Sequence, residues 1–225
     1  SGLRDYLVMP ALATGRPARR VTGEMTRDLV FGQRTLMFAP GSAFRYSNTN
    51  FALLGWAIER LTGGTLAEAF DEMIFAPLGM TKTRFLVQSN PGPADGATGY
   101  EGGGEADFHA PNLEIYEAGD GGVWSTLSDL VRWEENLLRP RVGTAALWAR
   151  FAAPARLNDG RESWYGLGHG TGVHRGAVWF GHAGGLSGMT VNRAHYPGRR
   201  ISAIAAGNSG LIDAETLTFA LADGA

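Results

Sequence analysis

After Asn158 the hydrophobic pattern changes period, and this change limits the possible folds more than any other feature of the chain. Four strand-like runs follow: Trp164–His169, Ala177–His182, Met189–Tyr196 and Ile201–Ala206, joined by short glycine-containing connections. Pro197-Gly198 makes a hairpin turn between the last two. Connections this short join antiparallel neighbours, so the C-terminal part reads as an antiparallel meander. A closing helix is predicted from about Asp213 to Leu221.

The middle of the chain is helical. Phe51, Leu54, Ile58 and Leu61 share one face of a helix predicted at about 50–62, and Gly63-Gly64 stops it. Thr65-Leu66-Ala67-Glu68 reads as a capping box opening a second helix, which Pro77 is expected to end. Ser125 or Thr126 caps a helix reaching about Leu138, and another covers about 143–152. Residues 1–45, punctuated by Gly15, Pro17, Pro40 and Gly41, read as loop with short helical pieces. Residues 88–122 are rich in Gly, Pro, Asn and Asp and are expected to form a long, irregular surface excursion. The fold class is therefore α+β: an antiparallel sheet flanked by helices, plus a helical lobe. The lobe would occupy about 1–155, and the strands with their closing helix about 156–225.

Composition excludes several function classes. A net charge of −2 gives no electrostatic reason to expect nucleic acid as a partner. No apolar run approaches the length of a membrane span, and the compartment stays open. With no cysteine there is neither a disulfide nor a thiolate nucleophile or metal ligand. The twenty basic residues include a single lysine, Lys82, so one amine at most is available for base catalysis.

Two motifs carry candidate chemistry. Tyr46-Ser47-Asn48 lies between the Pro40-Gly41 turn and the 50–62 helix, with Ser47 or Asn48 able to cap that helix. A phenol near a cation can become phenolate, take a proton from a serine hydroxyl and return it to a leaving group. Asn48 can hold a substrate amide or orient an ammonium. By itself a Tyr-x-Asn tripeptide is weak, being also an ordinary loop-to-helix junction. The second motif is Gly181-His182-Ala183-Gly184-Gly185, at the end of a predicted strand. Gly184 and Gly185 let a substrate backbone lie along the strand, and a free N–H there can enter an oxyanion hole. His182 can donate to a substrate carboxylate or steady Tyr46. His-x-Gly also occurs at His174-Arg175-Gly176, so only the strand context and the doubled glycine favour His182.

Weaker candidates read as structural. Ser187 is not in a Gly-x-Ser-x-Gly elbow and is expected to be a turn residue. His169 and His174 without carboxylate or thiolate partners make a poor zinc site. Asp107, His109 and Glu114 read as solvated loop residues.

In order along the chain, these pieces resemble the class C β-lactamase-like group of serine hydrolases, which includes β-lactamases, D-alanyl-D-alanine carboxypeptidases, D-amino-acid peptidases and related esterases. Carrying the resemblance, besides the two motifs, are Ser1–Tyr6, Asn50–Gly55, Pro77–Thr81 and Gly121–Leu130, so it extends over nearly all 225 residues. It implies Tyr46 as general base, Asn48 as substrate and network partner, His182 as third-motif cation or donor, and the Gly185 N–H as an oxyanion donor. It also implies a small-molecule or peptide substrate and no cofactor or metal. His182 stands where many members carry lysine, which favours ester or peptide substrates over β-lactams. The family's Ser-x-x-Lys nucleophile motif is absent, since the residue three before Lys82 is Gly79. The resemblance therefore implies a C-terminal part of a longer protein, lacking an N-terminal helix and first strands, with a core face awaiting that segment. The rival is a catalytically inactive relative used as a binding or interaction module.

Overall fold

The computed structural model describes residues 1–16, 18–88, 92–103 and 107–225; Pro17 and parts of the predicted excursion (89–91 and 104–106) lie outside the described residues. In chain order the first elements are α1 (Met9–Thr14), β1 (Arg20–Val21), α2 (Gly23–Phe31), α3 (Asn48–Thr62) and α4 (Leu66–Phe70). A π-helical turn over Asp71–Phe75 leads into α5 (Ala76–Leu78), followed by β2 (Arg84–Phe85), β3 (Glu114–Ile115) and β4 (Val123–Trp124). The remainder comprises α6 (Leu127–Leu138), α7 (Ala145–Ala152), β5 (Gly170–His174), β6 (Ala177–Leu186), β7 (Met189–Tyr196), β8 (Ile201–Gly207) and α8 (Ala214–Asp223). The expected α+β architecture is the one observed: strands β5-β6-β7-β8 form an antiparallel sheet in sequence order.

Helix starts follow the sequence closely because their caps are local. Thr65 Oγ1 accepts from Glu68 N–H (3.2 Å) and Glu68 accepts from Thr65 N–H (2.8 Å), which is the reciprocal capping box. Thr126, rather than Ser125, caps α6, while Thr144 caps α7 and Asp213 caps α8. Pro77 does not end its helix. The chain passes through it to Leu78 and stops at Gly79, which adopts a left-handed conformation (φ 70°). Pro77 sits in the first turn of α5, directly after the π-helical turn, where its fixed φ suits the helix.

Two further expectations are corrected. In α3 the predicted apolar face is not the buried one: Leu54 is 56% and Leu61 86% exposed, whereas Ala52 and Gly55 are buried. A Cβ on Gly55 would lie 1.7 Å from the carbonyl oxygen of Ala118, so small residues mark the packed face because a backbone crosses there. The run Trp164–His169 is not a strand. Gly166 N–H bonds to the His169 carbonyl (2.9 Å), and the chain folds back before β5 begins at Gly170. The glycines at 166 and 168 let an apolar run turn instead of extend.

The sheet's hairpins have compact turns. Leu186 pairs with Met189 across Ser187-Gly188, both at positive φ (52° and 71°), so Ser187 is indeed a turn residue. Helix α6 is fastened to the sheet by a buried cluster. Glu134 meets Arg193 (2.9 Å) and His195 Nδ1 (3.1 Å) of β7 and accepts from Ser202 Oγ (2.8 Å) of β8. These residues have the composition of a Ser-His-Glu triad but not its geometry. Both Ser202 and Glu134 approach the same ring nitrogen, and Ser202 donates directly to Glu134. Beyond β8, the sheet's outermost strand, runs a cleft of about 330 Å³ lined by Leu127 and Val131 of α6, Ile201 and Ile204 of β8, and Leu221 of α8.

Candidate active site

Tyr46 ends a loop that is pinned from both sides. The Gly41 carbonyl accepts from Asn158 N–H (2.9 Å), and the Asn158 side chain donates to the Pro40 carbonyl (3.0 Å). A Cβ at Gly41 would fall 2.3 Å from that side chain, so this turn admits only glycine. The loop delivers Tyr46, 39% exposed, to the N-terminal end of α3, with its ring centroid 6.1 Å from that of His182. The two sequence motifs, far apart in the chain, therefore meet in space.

His182 is held by a residue the sequence reading missed. The Tyr165 phenol oxygen is hydrogen-bonded to His182 Nε2 (2.8 Å), and Tyr46 packs edge-on against the Tyr165 ring with centroids 5.7 Å apart. Tyr165 sits in the run expected to be a strand; the Gly166–His169 turn is what brings it under His182. Burial and the neighbouring Tyr46 push the Tyr165 phenol up, which keeps it protonated. Burial also pushes the His182 imidazole down, with Arg193 adding to the effect and a backbone bond at Ala183 opposing it. Burial thus disfavours the charged imidazole, and the ring of His182 is hydrogen-bonded to Tyr165.

Gly184 and Gly185 lie on β6, paired with Val191 and Thr190 of β7 on one side. On the other side β5 reaches only as far as Gly170 opposite Gly181. Residues 182–186 therefore form an open strand edge directly beyond His182, with Ala183, Gly184 and Gly185 exposed. Such an edge can take an extended substrate backbone and offers free N–H groups to a developing oxyanion.

The electrostatics around Tyr46 are acidic. Burial raises its phenol, and Asp5, Asp120 and Glu117 raise it further. Glu117, 3% exposed, is pushed up to about 8 by burial and by the Asp120 carboxylate, so it is largely a neutral acid at pH 7. Burial also raises Asp120, against the bond donated by the Tyr6 phenol (2.7 Å) and one from the Ala118 N–H. Tyr46 hydrogen-bonds no basic side chain among the described residues. The backbone N–H of Lys82 bonds to Asp129 of α6 (2.7 Å). The acidic set was missed because Glu117 and Asp120 belong to no spaced motif and Asp5 lies in a stretch read only as a family landmark; only the fold collects them.

Asn48 opens α3 and is bonded to Asp5 through both its N–H (3.1 Å) and its Nδ2 (2.8 Å). The two candidate zinc histidines do not converge. His169 is buried between Phe151 and Phe180 and pushed down to about 4, chiefly by burial, while His174 pairs with Asp223 (2.9 Å). Glu114 pairs with Arg20 (3.1 Å), and His109 Nδ1 lies 3.0 Å from the Asp107 carbonyl. Among the described residues, no three His, Asp or Glu side chains come together as metal ligands, and no helix is long and apolar enough to cross a membrane.

The Beta-lactamase family model matches residues 1–219. A D-aminopeptidase of Gluconobacter oxydans (strain 621H) is 33% identical over 205 residues, covering 91% of this chain and 39% of that protein. A D-aminopeptidase of Brucella anthropi is 35% identical over 208 residues, again 91% of this chain and 39% of the relative. The chain thus spans about two-fifths of the length of the curated relatives it matches. A D-stereospecific amidohydrolase from Streptomyces sp. superposes with a TM-score of 0.79 at 22% identity, over 99% of this chain and 68% of its own, a likeness of fold alone.

Proposed function

We propose, since the chain belongs to the Beta-lactamase family, that its Tyr46 site works in the full-length protein as the proton-transfer and substrate-holding half of a serine hydrolase. Its substrates would be amides or esters, those of D-amino acids foremost. The observation that carries this reading is the meeting of Tyr46, His182 and the open edge at Gly184-Gly185. The D-aminopeptidase relatives support the substrate class.

The chemistry needs two groups that residues 1–225 do not supply as a motif. A serine Oγ attacks the substrate carbonyl, its proton passes to Tyr46 Oη, and the carbonyl oxygen takes the negative charge at N–H donors such as that of Gly185. Collapse to the acyl ester expels the amine, which takes the proton back from Tyr46; water then attacks the ester by the same route. Tyr46 accepts a proton only as phenolate, and burial together with the Asp5 and Asp120 carboxylates opposes that charge. A cation must therefore sit beside it, and the lysine of Ser-x-x-Lys, from polypeptide beyond residues 1–225, fills that need. The same segment would add a strand to β8 and cover the apolar cleft along it. Asn48 and Gly184 hold the substrate, and no cofactor takes part.

Hydrolysis of D-amino-acid p-nitroanilides and of nitrocefin, measured side by side on the full-length protein, tests the proposal. The expected result is kcat/KM at least about tenfold higher for the D-amino-acid amide, because a neutral His182 in place of a lysine offers no cation to a β-lactam carboxylate. Fast nitrocefin turnover with no amidase activity would overturn it.

A further inference from the structure

Asp5 spends its whole carboxylate on three N–H groups. Oδ1 accepts from Leu7 N–H (2.8 Å), and Oδ2 accepts from the backbone N–H (3.1 Å) and the side-chain Nδ2 (2.8 Å) of Asn48. Ser47, which holds the N-cap position of α3, makes no capping bond with its own side chain. Asp5 thus caps the helix from 43 residues away and ties down the first side chain of that helix in the same stroke.

The tie has a direction. An asparagine amide has a donor end and an acceptor end, whereas a carboxylate only accepts. Facing Asp5, Asn48 must present Nδ2, and its Oδ1 is turned to the other side. Among the described residues nothing donates to that oxygen. The segment carrying Asp5 is itself fixed. Tyr6 N–H donates to Thr49 Oγ1 (3.1 Å), Thr49 Oγ1 donates to the Arg4 carbonyl (2.7 Å), and the Tyr6 phenol donates to Asp120 (2.7 Å). Asp5 therefore cannot follow Asn48 if the amide turns.

We propose that Asp5 is a positioning residue that sets the polarity of Asn48, so that the site offers a hydrogen-bond acceptor beside Tyr46 and takes a substrate N–H or ammonium there rather than a carbonyl or carboxylate. The substrate consequence rests on the reading of the site given above; the orientation of Asn48 does not. In Asp5→Asn the new amide keeps the shape but brings a donor, which in the place of Oδ2 faces both the backbone N–H and the Nδ2 of Asn48. The Asn48 side chain is the one free to rotate, and turning it over presents Nδ2 to the site.

In the full-length protein, Asp5→Asn is expected to lower kcat/KM for a D-amino-acid amide about 100-fold, with the melting temperature changed by only a few degrees. The double variant Asp5→Asn/Asn48→Asp, which restores both the pairing and an outward-facing oxygen, is expected to recover at least about tenfold of that loss. A readout free of turnover comes from the Asn48 side-chain NH2 in protein labelled with [15N]asparagine. Its slow-exchanging proton in the wild type is expected to shift and lose protection in Asp5→Asn. If the wild type hydrolyses none of the substrates, the proposed function fails, and the NH2 signal still decides the orientation. An unshifted signal, or a double variant no more active than the single one, would overturn the role of Asp5.

Discussion

Replacing Tyr46 with phenylalanine is expected to lower kcat/KM of the full-length protein by about 10²–10⁴-fold, the range that a positioned general base or acid contributes. The ring packs by its edge on Tyr165, at 5.7 Å between centroids, and among the described residues the phenol oxygen of Tyr46 makes no hydrogen bond that holds the fold together. Phenylalanine therefore keeps the packing and removes the phenol oxygen proposed to carry the proton. Its pH behaviour should mark the base as a phenol. Burial, Asp5, Asp120 and Glu117 all raise Tyr46, so without a nearby cation it stays protonated well into the alkaline range. With a lysine ammonium beside it, the phenolate becomes accessible and activity rises with pH until the ammonium itself loses its proton. Steady-state kinetics across pH check both statements. A Tyr46→Phe variant within about threefold of the wild type would remove Tyr46 from proton transfer.

The Glu134→Ala variant is expected to lose about 3–5 kcal/mol of stability, the cost of leaving a buried ion pair half empty. Glu134 is 4% exposed, and the Arg193 side chain that faces it is 14% exposed, so water cannot replace the carboxylate. At this chain length the loss is roughly 10 °C in melting temperature by calorimetry. Burial by itself would raise the Glu134 pKa. Bonds from His195 and Ser202 and the charge of Arg193 outweigh it, and the net shift is downward. The sign follows: a depressed carboxylate lends stability that is fully present above its unfolded value and is lost as pH falls through its folded value. The gap in melting temperature between wild type and Glu134→Ala should accordingly be widest near neutrality and narrow below about pH 4. A gap that stays constant down to pH 3 would assign the effect to packing instead.

Much of the fold was legible because its signals are local. Caps at Thr65, Thr126, Thr144 and Asp213 fix helix starts from side chains three residues away, and the turn at Ser187-Gly188 fixes a strand register. What misled were signals that depend on distant chain. The face of α3 was misjudged because side-chain size pointed to Leu54 and Leu61, while the Ala118 backbone packs on Gly55. Trp164–His169 had the composition of a strand, but Gly166 and Gly168 turned it and so hid Tyr165. The site was half visible. Tyr46, Asn48, His182, Gly184 and Gly185 sit in motifs, and their order along the chain pointed to the family. Glu117 and Asp120 carry no motif, Asp5 was only part of a landmark stretch, and together they reverse the sign of the field expected at Tyr46.

The most direct test of the serine hydrolase half-site is to locate the acyl group. The full-length protein is treated with a fluorophosphonate, digested, and its adduct placed by mass spectrometry. The predicted result is a single modified serine outside residues 1–225, followed three positions later by lysine, with labelling slowed about 100-fold or more by Tyr46→Phe. An adduct on a serine within residues 1–225, Ser187 and Ser202 included, or no adduct at all, would contradict it.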